Sequence, residues 1–183
     1  MRLVLASTSP RRAALLRAAG YDFEVQPSGV EEWPYPGGDP AAYAESLASA
    51  KAAAADGAVV VAADTIVVLG EDVLGKPEGP NGAAAMLRRL SGRTHSVLTA
   101  VAVRSNGDVR VDHARTRLTL RPLSDAEIAD YVATGEPLDK AGAYGYQGEA
   151  RRFVTAIDGD ADTVIGLPIA VVERLLPPEL RRR

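Results

Sequence analysis

One stretch constrains the fold more than any other: Ala58 to Ala63 and Thr65 to Leu69 are two apolar, largely β-branched runs broken only by Asp64. A strand that is apolar at successive positions must be covered on both faces, so the stretch predicts a buried strand inside a sheet. Asp64 then falls mid-strand or at a bend, where a carboxylate is costly. Two readings stay open: a carboxylate kept for chemistry, or one satisfied by backbone N–H groups at a strand bend.

The flanking sequence supplies the cover. Leu3 to Ala6 reads as a short buried strand, Ser7 to Pro10 as a turn, and Arg11 to Ala19 as a helix ended by Gly20. Phe23 and Val25 alternate as a strand, and residues 27–38 form a long loop containing Glu31 and Glu32. Asp39 caps a helix that starts at Pro40 and runs to about Asp56, with Tyr43, Leu47, Ala50 and Ala54 as its apolar stripe and Lys51 bordering it. Downstream come an extended piece at 73–77, an Ala-rich helix from Asn81 to Ser91, and two strands, 94–103 and 109–120, joined at Asn106-Gly107. Ser124 and Glu127 form a capping box, 142–148 is a glycine-rich loop, 153–157 a strand, 158–162 a turn and 168–176 a last helix. The pattern predicts one α/β (mixed α+β) domain over residues 1–183, a mixed β-sheet flanked by helices, without repeats or a separating linker.

Composition removes several classes of function. The absence of Cys excludes disulfides, a cysteine zinc site and a thiol nucleophile. A net charge of −3 and an aromatic content of 5% argue against nucleic acid, and the Arg181-Arg182-Arg183 tail reads as a frayed, solvated end. Leu3 to Ala6 is too short for a signal peptide core or a membrane span, so a cytoplasmic location is expected. Of the 21 basic residues only Lys51, Lys76 and Lys140 are lysine. In a chain that otherwise uses Arg these three stand out, with chance retention as the alternative.

Some motifs fail on inspection. Gly70-x4-Gly75-Lys76-Pro77 lacks the hydroxyl of a P-loop, and Asp158-x-Asp160-x-Asp162 lacks the glycine and distal glutamate of a calcium loop. His95 and His113 fit neither a zinc-hydrolase nor a triad spacing and read as strand residues that pack or hydrogen-bond. Ser7-Thr8-Ser9-Pro10-Arg11-Arg12 joins hydroxyls, a helix N-terminus and two guanidinium groups, which suits a polyphosphate, although a basic surface turn has the same composition. Asp64, Glu31 and Glu32 with Lys51 and Lys76 are the groups a metal-assisted phosphoanhydride hydrolase needs.

The blocks Leu5-Ala6-Ser7-x-Ser9-Pro10-Arg11-Arg12, Gly29-Val30-Glu31-Glu32, Ala63-Asp64-Thr65, Gly75-Lys76-Pro77, Leu90-Ser91-Gly92-x-Thr94-His95, 139–148 and Val164-x-Gly166-Leu167-Pro168 together resemble the Maf family of nucleoside triphosphate pyrophosphatases, in order across the chain. The resemblance implies an elongated Maf/ITPase-like fold with a central cleft, and hydrolysis between the α and β phosphates to monophosphate and diphosphate. It implies a divalent cation, Mg2+ or Mn2+, and a homodimer. Asp64 would be the general base and a metal ligand, with Glu32, joined by Glu31, also holding metal. Ser7, Arg11, Arg12, Lys51 and Lys76 would bind the triphosphate, while Arg11, Thr65 and Gln147 match positions the family uses for substrate choice. The 139–148 block, Asp139-Lys140-Ala141-Gly142-Ala143-Tyr144-Gly145-x-Gln147-Gly148, resembles the branch acting on dTTP and UTP rather than the 7-methyl-GTP branch. The planar amide of Gln147 complements the O4 and N3–H edge shared by thymine and uracil. Tyr146 departs from that pattern, where a smaller aliphatic residue is expected, and Gly75 stands where an acid is frequent. A pyrophosphatase of broader or 7-methyl-GTP-type specificity and a non-catalytic nucleotide-binding regulator of septum formation are the alternatives.

Overall fold

A computed structural model describes residues 2–181. Its strands are β1 (Leu3–Leu5), β2 (Phe23–Val25), β3 (Val59–Leu69), β4 (Asp72–Leu74), β5 (Thr94–Ser105), β6 (Asp108–Leu120) and β7 (Val154–Asp158). Its helices are α1 (Pro10–Ala18), α2 (Pro40–Ala54), α3 (Gly79–Leu90), α4 (Asp125–Ala133), α5 (Ala161–Ile165) and α6 (Ile169–Leu175). The sheet has seven strands in the order β2-β1-β3-β5-β6-β7, with β4 paired to β3. β1 runs parallel to β2 and β3, whereas β3–β4 and β6–β7 are antiparallel, so the sheet is mixed. Among the described residues no helix is long and apolar enough to cross a membrane.

The chain forms two compact units. The first comprises the described parts of Met1–Thr65, Thr99–Ala114 and Gly166–Arg183. Its core is built on the odd-numbered residues of β3, Val59, Val61 and Ala63, packed with Leu3, Leu5, Leu16, Val101, Val103 and the α6 residues Val171, Val172 and Leu175. Because side chains alternate along a strand, the even-numbered residues of β3 face the other way. There α2 supplies the cover, with Ala41, Ala44, Leu47, Ala48, Lys51 and Ala52 buried. This corrects the predicted stripe: of its members only Leu47 is buried, and the buried face is shifted so that Lys51 lies within it rather than beside it. The buried face is mostly alanine, so no row of large apolar residues marks it in the sequence.

The second unit comprises Ile66–Leu98 and Arg115–Ile165. Its core gathers Val67, Leu69, Leu74, Leu87, Leu90, Val97, Leu118, Ile128, Tyr131, Tyr144 and Phe153. The Tyr131 and Phe153 rings meet edge to face at 5.3 Å. α3 starts at Gly79, ahead of the predicted Asn81, because the fixed φ of Pro80 suits a first turn. Phe153 ends a 3-10 turn (Glu149–Phe153) instead of opening β7, its ring drawn into the core. The turn expected at 158–162 gives way at Ala161 to the short helix α5, and Asp162 is helical. The β5–β6 turn is as expected, with Asn106 and Gly107 at φ 53° and 88°, the mirror-image geometry that matches strand twist. Of the predicted tail, Arg182 and Arg183 lie outside the described residues. Arg181 is not frayed, since its guanidinium donates to the carbonyls of Leu176 at 2.9 Å and Arg174 at 3.1 Å.

Candidate active site

On the first unit the carboxyl end of β1 leads into the turn Ala6 to Ser9 and then α1, whose first residue is Pro10. Leu5 pairs with Val61, and Asp64 and Thr65 follow on β3 beyond that last paired residue. Consecutive strand residues project to opposite faces, so Asp64 meets α2 and Thr65 meets α1. Ligand sites in open α/β sheets form outside the carboxyl ends of parallel strands, and this is such a place.

On the α2 side Lys51 is only 7% exposed and Asp64 5%. The Lys51 Nζ donates to Asp64 Oδ1 at 2.6 Å and to Glu32 Oε1 at 2.7 Å. Of the two readings of Asp64, satisfaction by backbone N–H groups is therefore not what the structure shows; a lysine does it. Burial pushes the Asp64 carboxyl above the usual aspartate range, against the opposing pull of Lys51 and Arg12. Glu32 is brought in from the long loop by Tyr43, whose hydroxyl donates to the Trp33 carbonyl at 2.7 Å. Burial, followed by the nearby charges of Asp64 and Glu32, raises the Tyr43 phenol.

On the α1 side Arg12 is the hub. Its Nε donates to the Gly166 carbonyl at 2.8 Å, one Nη to Thr65 Oγ1 at 3.1 Å and the other to Ser7 Oγ at 3.4 Å. The Ser7 hydroxyl also accepts from the Ser9 N–H at 3.1 Å, which shapes the turn. Thr65 is hydrogen-bonded to Thr99 at 2.9 Å. Burial lowers the Arg12 guanidinium, and the fields of Asp64 and Glu32 oppose that shift, so the two networks are electrostatically joined.

The structure thus brings together Ser7, Arg12, Glu32, Lys51, Asp64 and Thr65. Arg11 is half-buried beside Arg12, and Glu31 is exposed beside Glu32. Lys76 and Gln147 are exposed residues of the second unit, Lys76 after β4 and Gln147 in the glycine-rich loop. Tyr146 packs against the second core, and the Arg151 guanidinium lies 4.8 Å from its ring centre. Lys140 donates to the Glu136 carbonyl at 2.6 Å and to Asp139 at 2.7 Å. His95, buried on β5, is hydrogen-bonded to the Tyr144 hydroxyl at 2.6 Å, and His113 on β6 to Glu45 at 2.7 Å, as their positions on strands implied. Sequence reasoning missed Thr99 and the Gly166 carbonyl as partners and assigned Tyr43 only to packing. A lone hydroxyl between Leu98 and Ala100 in an apolar strand is the signal that could have found Thr99.

The fold and site define a mixed α/β protein whose buried acid–lysine pair and arginine hub lie beside the carboxyl end of a parallel strand. The model for the family described as Maf-like protein matches residues 2–178, and the chain belongs to this family. It is 54% identical over 181 residues to a protein of Moorella thermoacetica named dTTP/UTP pyrophosphatase, covering 96% of this chain and 93% of that protein. Proteins of the same name from Koribacter versatilis and Aquifex aeolicus are 49% and 46% identical over 180 residues each, covering 96% of this chain and 93% and 94% of theirs.

Proposed function

We propose that the protein is a nucleoside triphosphate pyrophosphatase that hydrolyses dTTP and UTP to the monophosphate and diphosphate with a divalent cation, in the cytoplasm and as a homodimer. The buried Asp64 carboxylate, bridged to Glu32 by the Lys51 ammonium, is the observation that carries this reading. The names of relatives 46–54% identical support the substrate assignment.

Asp64 acts as the general base. Burial raises its proton affinity above that of an ordinary aspartate, which strengthens it as a base toward water. The water oxygen attacks the α phosphorus, the bond from that phosphorus to the bridging oxygen breaks, and pyrophosphate departs with the electron pair. Arg11 and Lys51 stabilise charge on the phosphate oxygens. Arg12 contributes its positive field while holding Ser7, Thr65 and the 166 carbonyl in place. Lys76 takes a further phosphate contact, Gln147 reads the base edge, and Glu31 assists Glu32. Glu32 and Asp64 would hold a magnesium or manganese ion, since each brings a hard carboxylate oxygen to the Lys51 Nζ, and such ions need one or two carboxylates beside substrate phosphates and water. When bound, the cation supplies charge neutralisation and polarises phosphate oxygens.

A panel of triphosphates at equal concentration, assayed for pyrophosphate release with magnesium, tests the proposal. dTTP and UTP should be turned over in preference to dCTP, dATP and dGTP. Uniform turnover would replace the assignment by broad specificity, and nucleotide binding without release would leave a regulator. Chelation of the cation should abolish release and its restoration should return it.

A further inference from the structure

The loop that carries Gln147 is tied to a single carboxylate of the second unit. Glu136 follows Gly135, which has φ 77°. Its Oε1 accepts the Tyr131 hydroxyl at 2.8 Å, and its Oε2 accepts the Glu149 backbone N–H at 3.1 Å. The same Tyr131 hydroxyl accepts the Gly145 N–H at 3.0 Å. Both ends of the segment 145–149 are therefore fastened, one through Tyr131 and one directly, to the two oxygens of one side chain. Within the segment the Gly148 N–H donates to the Gly145 carbonyl at 3.1 Å, closing it as a turn with exposed Gln147 inside it.

The anchor is held on several sides. Tyr131 is fully buried and its ring is locked against Phe153. The Lys140 Nζ donates to the Glu136 carbonyl at 2.6 Å, so the backbone of Glu136 is held as well as its side chain. The glycines on either side of Gln147 follow from this clamp. A Cβ on Gly145 would stand 2.8 Å from Glu136 Oε1, and a Cβ on Gly148 would collide with the Glu136 carboxylate. The pattern Gly145-x-Gln147-Gly148 is thus the backbone's accommodation to a carboxylate sitting against it.

We propose that Glu136 is the positioning residue of Gln147, so that selection of thymine and uracil depends on a carboxylate that itself touches no base. The proposal rests on the reading of Gln147 as the base-selecting residue. A planar amide discriminates between bases only if its donor and acceptor are held in one orientation, and a turn free to move loses that difference for every base alike.

The test compares kcat and KM for UTP and CTP in the full chain carrying Glu136→Gln, Tyr131→Phe or Gln147→Ala. In Glu136→Gln one carboxylate oxygen becomes an N–H2 group facing a donor. The KM for UTP should rise about tenfold, the effect of a lost hydrogen bond to a charged group, while kcat and the constants for CTP stay within about twofold. Tyr131→Phe keeps the buried ring, removes the hydroxyl that holds the Gly145 N–H, and should shift the UTP to CTP ratio the same way. Combining Glu136→Gln with Gln147→Ala should lower the ratio no further than Gln147→Ala alone. Loss of the ratio in Gln147→Ala with full retention in both Glu136→Gln and Tyr131→Phe overturns the positioning role and leaves Gln147 as selector. Retention of the ratio in Gln147→Ala overturns the selector and the positioning role together. Equal losses of kcat for both substrates in Glu136→Gln, with KM unmoved, would also reject the proposal, since they mark a general structural part.

Discussion

A lysine buried to 7% exposure has given up its hydration, and Lys51 replaces it with two carboxylates. Such a pair is a weak source of stability while intact and a large liability when one member is removed. Lys51→Met should therefore destabilise the protein by about 3–5 kcal/mol in urea unfolding, because Asp64 is left buried and uncompensated. The double variant Lys51→Met with Asp64→Leu should recover most of that stability and none of the activity, which separates the structural from the catalytic part of the pair. Asp64→Asn keeps an oxygen for Lys51 and should retain the fold while lowering pyrophosphate release about 10²–10⁴-fold. Near-normal turnover in that folded variant would reject Asp64 as the base.

Among the elements, α4 shows how far local chemistry reaches. Its capping box is complete: the Ser124 side chain accepts the Glu127 N–H, and the Glu127 carboxylate accepts the Ser124 N–H at 2.9 Å. Ser124→Ala should cost about 1 kcal/mol, read as a shift of the denaturation midpoint with an unchanged slope. α2 behaves differently. Asp39 caps it as the sequence indicates, its carboxylate accepting the Ala41 N–H at 3.0 Å, yet which of its alanine-rich faces is buried was decided by β3. Where many residues are small and apolar, the helical period carries little information about direction, and the sheet selects the face.

For the molecule as a whole, acid is the revealing perturbation. Burial holds the His95 imidazole down at about 4, well under its ordinary value of 6.5. Between those two pH values the unfolded chain binds a proton that the native ring refuses, so stability falls as pH falls. The loss attributable to His95 should reach about 3 kcal/mol by pH 4 and be absent above pH 7. Urea midpoints measured from pH 7 to pH 4 should therefore decline less steeply in His95→Gln than in the unsubstituted protein, and parallel slopes would reject the assignment.

The sequence by itself determined what depends on near neighbours: the buried run of β3 with its single acid, the Asn106-Gly107 hairpin, the caps of α2 and α4, and the ordered motifs that mark the Maf family. Periodicity, turn geometry and capping act over a few residues and so can be read from a string. Only the tertiary structure decided which charges meet. Lys51 reaches Asp64 across 13 positions, Arg12 reaches Thr65 across 53 and Gly166 across 154. The clamp of Glu136 on its glycines likewise depends on the 3-10 turn Glu136–Asp139 lying against the loop at 145–149. The partnerships of Asp64 and Thr65 are fixed by strand register and by the alternation of faces along β3, and both are properties of the assembled sheet.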